Sequence, residues 1–175
     1  MEDTSKGDIH YIKRDRELVL YLSGEITAPL AIALYEHLQP HANAEDIDHV
    51  HIDLSRVSYM DSTTVGTFIK IRKTFERHNG AMYLWNLSAD TRRILSGMHL
   101  LDYFEVDHDA ALETLREHVL QRIPPSDKKF ITDEYVLSAH QDIVEAEPAL
   151  QSDFDPLITI LKQRVQDRAR GSSDD

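Results

Sequence analysis

A carboxylate and three hydroxyls stand side by side at Asp61-Ser62-Thr63-Thr64, where a strand-like pattern ends and a helical one begins. A hydroxyl in that position meets the free N–H groups and the positive end of the dipole at a helix N-terminus, which receive anions. The chemistry predicted is phosphate reception by Ser62, exposed on a rigid support. Capping alone would also place Asp and Ser there, because both are favoured at helix starts. Thr63 and Thr64 could act as secondary acceptors, although polar filler of the first turn explains them more simply.

Other chemistries find less support. The chain has ten histidines, and His49 and His51 share one face of a strand, a spacing that can bind metal. No third ligand, such as a paired His-x-x-x-His, is evident nearby, so no metal and no cofactor are expected. Asp53 and Asp61 are not spaced as an acid–base pair. Neither a glycine-rich phosphate loop nor a Gly-x-Ser-x-Gly elbow is present. The absence of cysteine removes disulfides, thiolate metal sites and a cysteine nucleophile. Arg92-Arg93 is a small basic spot best read as solvated.

Several elements must position Ser62. Val50, Ile52 and Leu54 alternate with His49, His51 and Asp53, the period-two pattern of a strand with one buried face. A loop with Tyr59 and Met60 is expected next. Val65, Phe68, Ile69, Ile71 and Phe75 then follow helical spacing until Asn79-Gly80. Upstream, Ile9 to Lys13 and Leu18 to Ser23 read as an antiparallel hairpin closed by Gly24-Glu25. Thr27 is placed to cap a first helix that carries Leu30, Leu34 and Leu38 and that Pro40 should end.

Downstream, Ala81 to Leu87 reads as an apolar strand, Asp90 to Met98 as a short helix and Tyr103 to Val106 as a short strand. A helix from Ala110 to Leu120 follows, with Leu112, Leu115 and Val119 on one side. The order ββαβαβαβα predicts an α/β fold: a mixed, mostly parallel sheet with an antiparallel N-terminal edge hairpin and packed helices. Pro124-Pro125-Ser126-Asp127 marks a boundary between residues 1–123 and a helical extension over 124–175. Within the extension, a helix from Thr132 or Asp133 carries Val136, His140, Ile143 and Val144 and stops at Pro148. A second helix is expected after Asp155-Pro156, and the tail from Arg168 to Asp175 should fray.

At 175 residues the chain has room for one ordinary domain and an appendage, and its 41% hydrophobic content argues against disorder as a whole. The formal charge of −12 disfavours nucleic acid as a partner and favours proteins with basic surfaces. No apolar run approaches the roughly 18 residues that span a bilayer, and the start MEDTSKGDIH lacks signal-peptide features. A soluble, cytoplasmic protein without membrane attachment is the expectation.

From about Ile9 to Leu120, roughly two thirds of the chain, the sequence resembles a STAS domain, the fold of bacterial anti-sigma factor antagonists. The matching pieces are Leu22-Ser23-Gly24-Glu25-Ile26, Ile52-Asp53-Leu54, Tyr59-Met60-Asp61-Ser62-Thr63-Thr64-Val65-Gly66, and Ser88 to Leu101. The third of these is the specific one.

The resemblance implies binding rather than catalysis. Ser62 would be phosphorylated by a serine kinase that is also an anti-sigma factor. The unphosphorylated protein would bind that kinase and displace its target, and a metal-dependent serine phosphatase would reset the modified form. Glu25, Thr27, Asp61, Thr63 and Thr64 would contribute to the partner-binding surface. Two positions depart from the family pattern, which often has glycine in place of Thr64 and of His99. Two rival roles use the same fold: a constitutive adaptor in a stress-sensing or lipid-transport assembly, and a ligand-binding or transporter-associated module. Antagonists of this family mostly stop near Leu120, so the extension is surplus. It could pack on the sheet domain, mediate self-association or add a partner contact.

Overall fold

Leu18, Leu20 and Leu22 alternate with Val19 and Tyr21, and all of them are buried. The strand that carries them must be covered on both faces. The computed structural model describes residues 6–108, 110–118 and 120–171. In chain order the elements are β1 (Asp8–Arg14), β2 (Glu17–Ile26), α1 (Ala28–Ala44), β3 (His49–Met60), α2 (Ser62–Arg77), β4 (Ala81–Trp85) and α3 (Ala89–Gly97). Then come β5 (Val106–Asp107), α4 (Ala110–Leu115), β6 (Gln121–Ile123), α5 (Asp133–Ala146) and α6 (Gln151–Gly171). The strands form a six-stranded sheet ordered β5-β4-β3-β2-β1-β6. β2, β3, β4 and β5 pair in parallel, while β1 runs antiparallel to both β2 and β6.

Alternation sorts the apolar side chains into two layers. Leu18, Leu20, Leu22, Val50, Ile52 and Leu54 join Leu34 and Leu38 of α1, Phe68 and Phe75 of α2 and Leu95 of α3 in the main core. Val19, Tyr21 and Trp85 face the other way, under Leu112 and Leu115 of α4. On that side the fully buried Asp53 accepts hydrogen bonds from Arg116, Asn86 and Ser55, which anchors the chain just after α4 to β3.

Several boundaries differ from expectation. Pro40 lies inside α1, which runs on to Ala44 because Ala42 is buried and His41 pairs with Asp46. Tyr59 and Met60 belong to β3, held there by pairing with Glu25 and Ile26 of β2. Tyr103 ends a 3₁₀ turn, which leaves β5 only Val106 and Asp107. α4 stops at Leu115, and the unforeseen β6 takes the sheet edge that the N-terminal hairpin was expected to occupy. Val119 lies outside the described residues. Finally, α6 starts at Gln151 and carries Pro156 within it, and it continues to Gly171 rather than fraying at Arg168; residues 172–175 lie outside the described set.

His99 ends the turn after α3 with φ 55° and is exposed. That left-handed conformation costs a side chain with a Cβ but not glycine. His99→Gly is therefore expected to raise stability by about 0.5–1 kcal/mol despite the more flexible unfolded chain. Thermal unfolding would read this as an upward shift of a few degrees; a downward shift would mean that the His99 side chain makes a stabilising contact.

Candidate functional site

Asp61 organises the neighbourhood of Ser62. It is the N-cap of α2, where one carboxylate oxygen accepts the Thr64 N–H at 2.8 Å. The other accepts the Ala28 N–H at 3.0 Å, at the start of α1. One charge thus serves two helix N-termini, each with its positive end toward it. The Thr64 hydroxyl has a single proton and two acceptors in reach, Asp61 at 2.8 Å and the Ile26 carbonyl at 2.9 Å. Thr27 occupies the N-cap position of α1 but makes no side-chain cap. Asp61 does that work, because its ionised carboxylate is the stronger acceptor.

These residues lie at the carboxyl ends of β2 and β3, the usual binding edge of parallel sheets. Register shifts flank Ser23 and Glu25 there. Glu25 is exposed and pairs in register with Tyr59, an aromatic that is 47% exposed. Thr27 is half-buried. Thr63 and Thr64 are buried, and the Thr64 hydroxyl is turned toward Ile26 and Asp61.

Ser62 is not freely exposed as expected, because α5 lies against α2 and reaches it. The His140 ring is 2% exposed, with Nδ1 2.7 Å from the Val136 carbonyl and Nε2 2.8 Å from Ser62 Oγ. The carbonyl can only accept, so Nδ1 carries a proton; in the neutral ring Nε2 is then the acceptor, to which the Ser62 hydroxyl donates.

One turn on, a Cβ at Gly66 would lie 2.3 Å from the Ala139 carbonyl oxygen, so only glycine allows α5 this close. The Thr67 hydroxyl donates to the Thr63 carbonyl and therefore accepts from Tyr135 at 2.9 Å. Burial pushes the Tyr135 hydroxyl far above its ordinary pKa. Lys70 donates to Ser138 and pairs with Asp142 at 3.0 Å; Lys73 pairs with Asp142 at 2.9 Å and Glu145 at 2.6 Å. Burial pulls the Lys73 pKa down, but the two carboxylates outweigh it and leave the group raised. α6 backs α5, with Phe154 against the His140 ring and Arg168 paired with Asp133 at 3.0 Å.

Sequence reasoning placed His140 in an apolar stripe without giving it a role. The signal was available in the stripe itself: a lone imidazole among Val136, Ile143 and Val144 requires a polar partner once buried.

At the other end of β3, the pair His49 and His51 acquires the third ligand that the sequence did not reveal. Glu17 of β2 stands in register with His49, and one ligand atom from each of the three lies within 4.8 Å of the others. Among the described residues this group could hold a divalent ion, with the His51 ring stacked on Tyr83 at 5.3 Å.

Residues 8–119 match the family model of the STAS domain. The chain is 33% identical over 95 residues to the anti-sigma-B factor antagonist of Listeria monocytogenes, covering 54% of this chain and 82% of that one. With the antagonist of the same description from Bacillus subtilis it shares 32% over 94 residues, covering 54% and 84%. Among solved structures, an anti-sigma factor antagonist from Mycobacterium paratuberculosis superposes with a TM-score of 0.53 at 21% identity, over 66% of this chain and 99% of that one. The Bacillus cell-fate determinant SpoIIAA in its phosphorylated form gives 0.51 at 18%, over 62% and 96%. The fold is shared with both, and the family match ends short of β6, α5 and α6.

Proposed function

This chain belongs to the STAS domain family, and from that premise we propose that it is a protein-binding regulator switched by phosphorylation of Ser62. The unphosphorylated form binds a serine kinase that doubles as an anti-sigma factor and frees that factor's target. Phosphorylation ends the complex, and a metal-dependent serine phosphatase restores it. The role is binding rather than catalysis. The relatives described as anti-sigma-B factor antagonists support the partner class. Support for the modification comes from SpoIIAA, whose structures include unphosphorylated and phosphorylated forms.

The observation that carries this reading is the placement of Ser62. It is the first residue of α2, directly after the Asp61 cap, at the carboxyl edge that also presents Glu25 and Tyr59. A phosphoryl group there adds about −1.5 to −2 charges beside Asp61, on a chain already at −12. A partner that closes over this edge would have to desolvate both charges. No helix among the described residues is long and apolar enough to cross a membrane, which fits a partner met in solution.

The test is phosphosite mapping by mass spectrometry on the protein isolated from its native cells. Partial occupancy confined to Ser62 is expected. If no growth condition places phosphate there, the switch reading is wrong and a constitutive adaptor replaces it.

A further inference from the structure

We infer that α5 is a built-in competitor for the partner-binding face of α2, and that Ser62 becomes a kinase substrate only when α5 lifts away. This rests on the phosphoswitch reading and adds a regulatory layer that the family match, ending at residue 119, does not contain.

The contact between α5 and α2 is built at backbone distance. Gly66 forms the notch, and the fully buried Ala139 fills it. On one side of the notch His140 holds the Ser62 hydroxyl; on the other, Asp142 and Glu145 hold Lys70 and Lys73. The Ser62 oxygen thus has a buried ring hydrogen-bonded to it 2.8 Å away.

Phosphorylation requires Ser62 Oγ to form a bond to the γ-phosphorus of kinase-bound ATP. The bond to the β–γ bridging oxygen breaks, ADP leaves, and the hydroxyl proton passes to the kinase's base. Attack must come in line, with the three γ-oxygens around the phosphorus, and His140 occupies the space that this geometry needs. The product has the same conflict, since a phosphate cannot fit between Oγ and Nε2. Docked α5 and phosphorylated Ser62 therefore exclude each other.

Release of α5 also defines what replaces it. It uncovers Gly66, Lys70 and Lys73, a small cationic strip on a chain of net charge −12. The face then fits a partner element patterned like α5, with a small residue for the notch and carboxylates one turn further along. Global charge alone pointed to basic partners, but the local strip selects an acidic one. Because α5 is tethered through residues 124–132, where Ser126 bonds to Pro29 and Glu36 of α1, it competes as an intramolecular ligand at a high effective concentration. A partner must overcome that advantage to bind.

The test uses the full chain with three sets of changes. Ala139→Leu adds bulk on the α5 side of the Gly66 notch, where Ala139 is fully buried, and leaves the α2 face itself unaltered. Asp142→Lys with Glu145→Lys turns the attraction of α5 for Lys70 and Lys73 into repulsion without altering α2. Adding Lys70→Glu and Lys73→Glu to that pair restores opposite charges with the signs exchanged.

Two quantities are read: hydrogen exchange of residues 133–146, and the initial rate at which Ser62 gains phosphate from ATP in a soluble extract of the native cells. Ala139→Leu and the Asp142→Lys/Glu145→Lys pair should each speed exchange in α5 and raise the Ser62 rate about tenfold or more, and the charge-exchanged quadruple variant should return α5 exchange toward wild type. Faster α5 exchange with an unchanged phosphorylation rate overturns the inference, as does unchanged exchange in both opening variants. If Ser62 gains no phosphate even in variants whose α5 exchanges freely, the phosphoswitch reading itself has failed and the inference falls with it.

Discussion

Ser62→Asp is expected to weaken binding to the kinase partner by about 100-fold or more, roughly 3 kcal/mol, while Ser62→Ala keeps it. Within the free protein the new carboxylate is tolerated, since the start of α2 offers N–H groups and a positive dipole end. The penalty arises on association, when two adjacent carboxylates at positions 61 and 62 lose water under the partner. The true phosphoserine should weaken binding further, because it carries about −1.5 to −2 charges against the single charge of aspartate. Ser62→Ala removes only a hydroxyl that is already bonded to His140 inside the chain. Losing that bond loosens α5, so binding by the alanine variant should match or exceed wild type.

The measurement is titration calorimetry with the partner first captured from native cells by the Ser62→Ala protein. An aspartate variant that binds as tightly as wild type would refute the switch.

Asp61→Ala should cost about 3 kcal/mol of folding stability. Losing an N-cap carboxylate costs about 1 kcal/mol. The Ala28 N–H would also lose its acceptor at a site with no evident replacement, which adds about 1–3 kcal/mol. Against a typical total of about 5–15 kcal/mol, that is a large share. Asp61→Asn should recover part of the loss, because the amide oxygen can still cap α2 while its nitrogen cannot accept from Ala28. Urea unfolding would show the midpoint fall with the slope preserved. A loss under about 1 kcal/mol for the alanine variant would mean that the Ala28 N–H finds another acceptor. Any binding defect of Asp61 variants must be read after this correction, since the carboxylate holds two helices in place before it meets a partner.

Much of the frame around Ser62 was legible in the amino-acid order alone. The switch from period two to helical spacing at Asp61 places the start of α2, and Ser88 and Thr132 stand directly before helices that they cap. These signals survive because they are local: a side chain accepts from an N–H three residues on, and burial repeats along one face. The α/β class and the antiparallel opening hairpin follow from the same periodicities, and the STAS resemblance drew on the motifs they frame.

What the tertiary structure decided was every relation between distant segments. Pro40 could stay within α1 because packing beyond it outweighs one lost backbone hydrogen bond. Gln121 to Ile123 became β6 because β1 offered an open edge to so short a segment. Glu17 completes the histidine pair only through the register of β2 on β3. Above all, His140 meets Ser62 across 78 positions of sequence. No periodicity records such a meeting, because it depends on which helix face fits the notch at Gly66. The sequence by itself determined that a serine begins a helix at the edge of a mostly parallel sheet; only the packing of α5 against α2 decided that His140 meets that serine, because steric fit between faces is a property of the assembled chain.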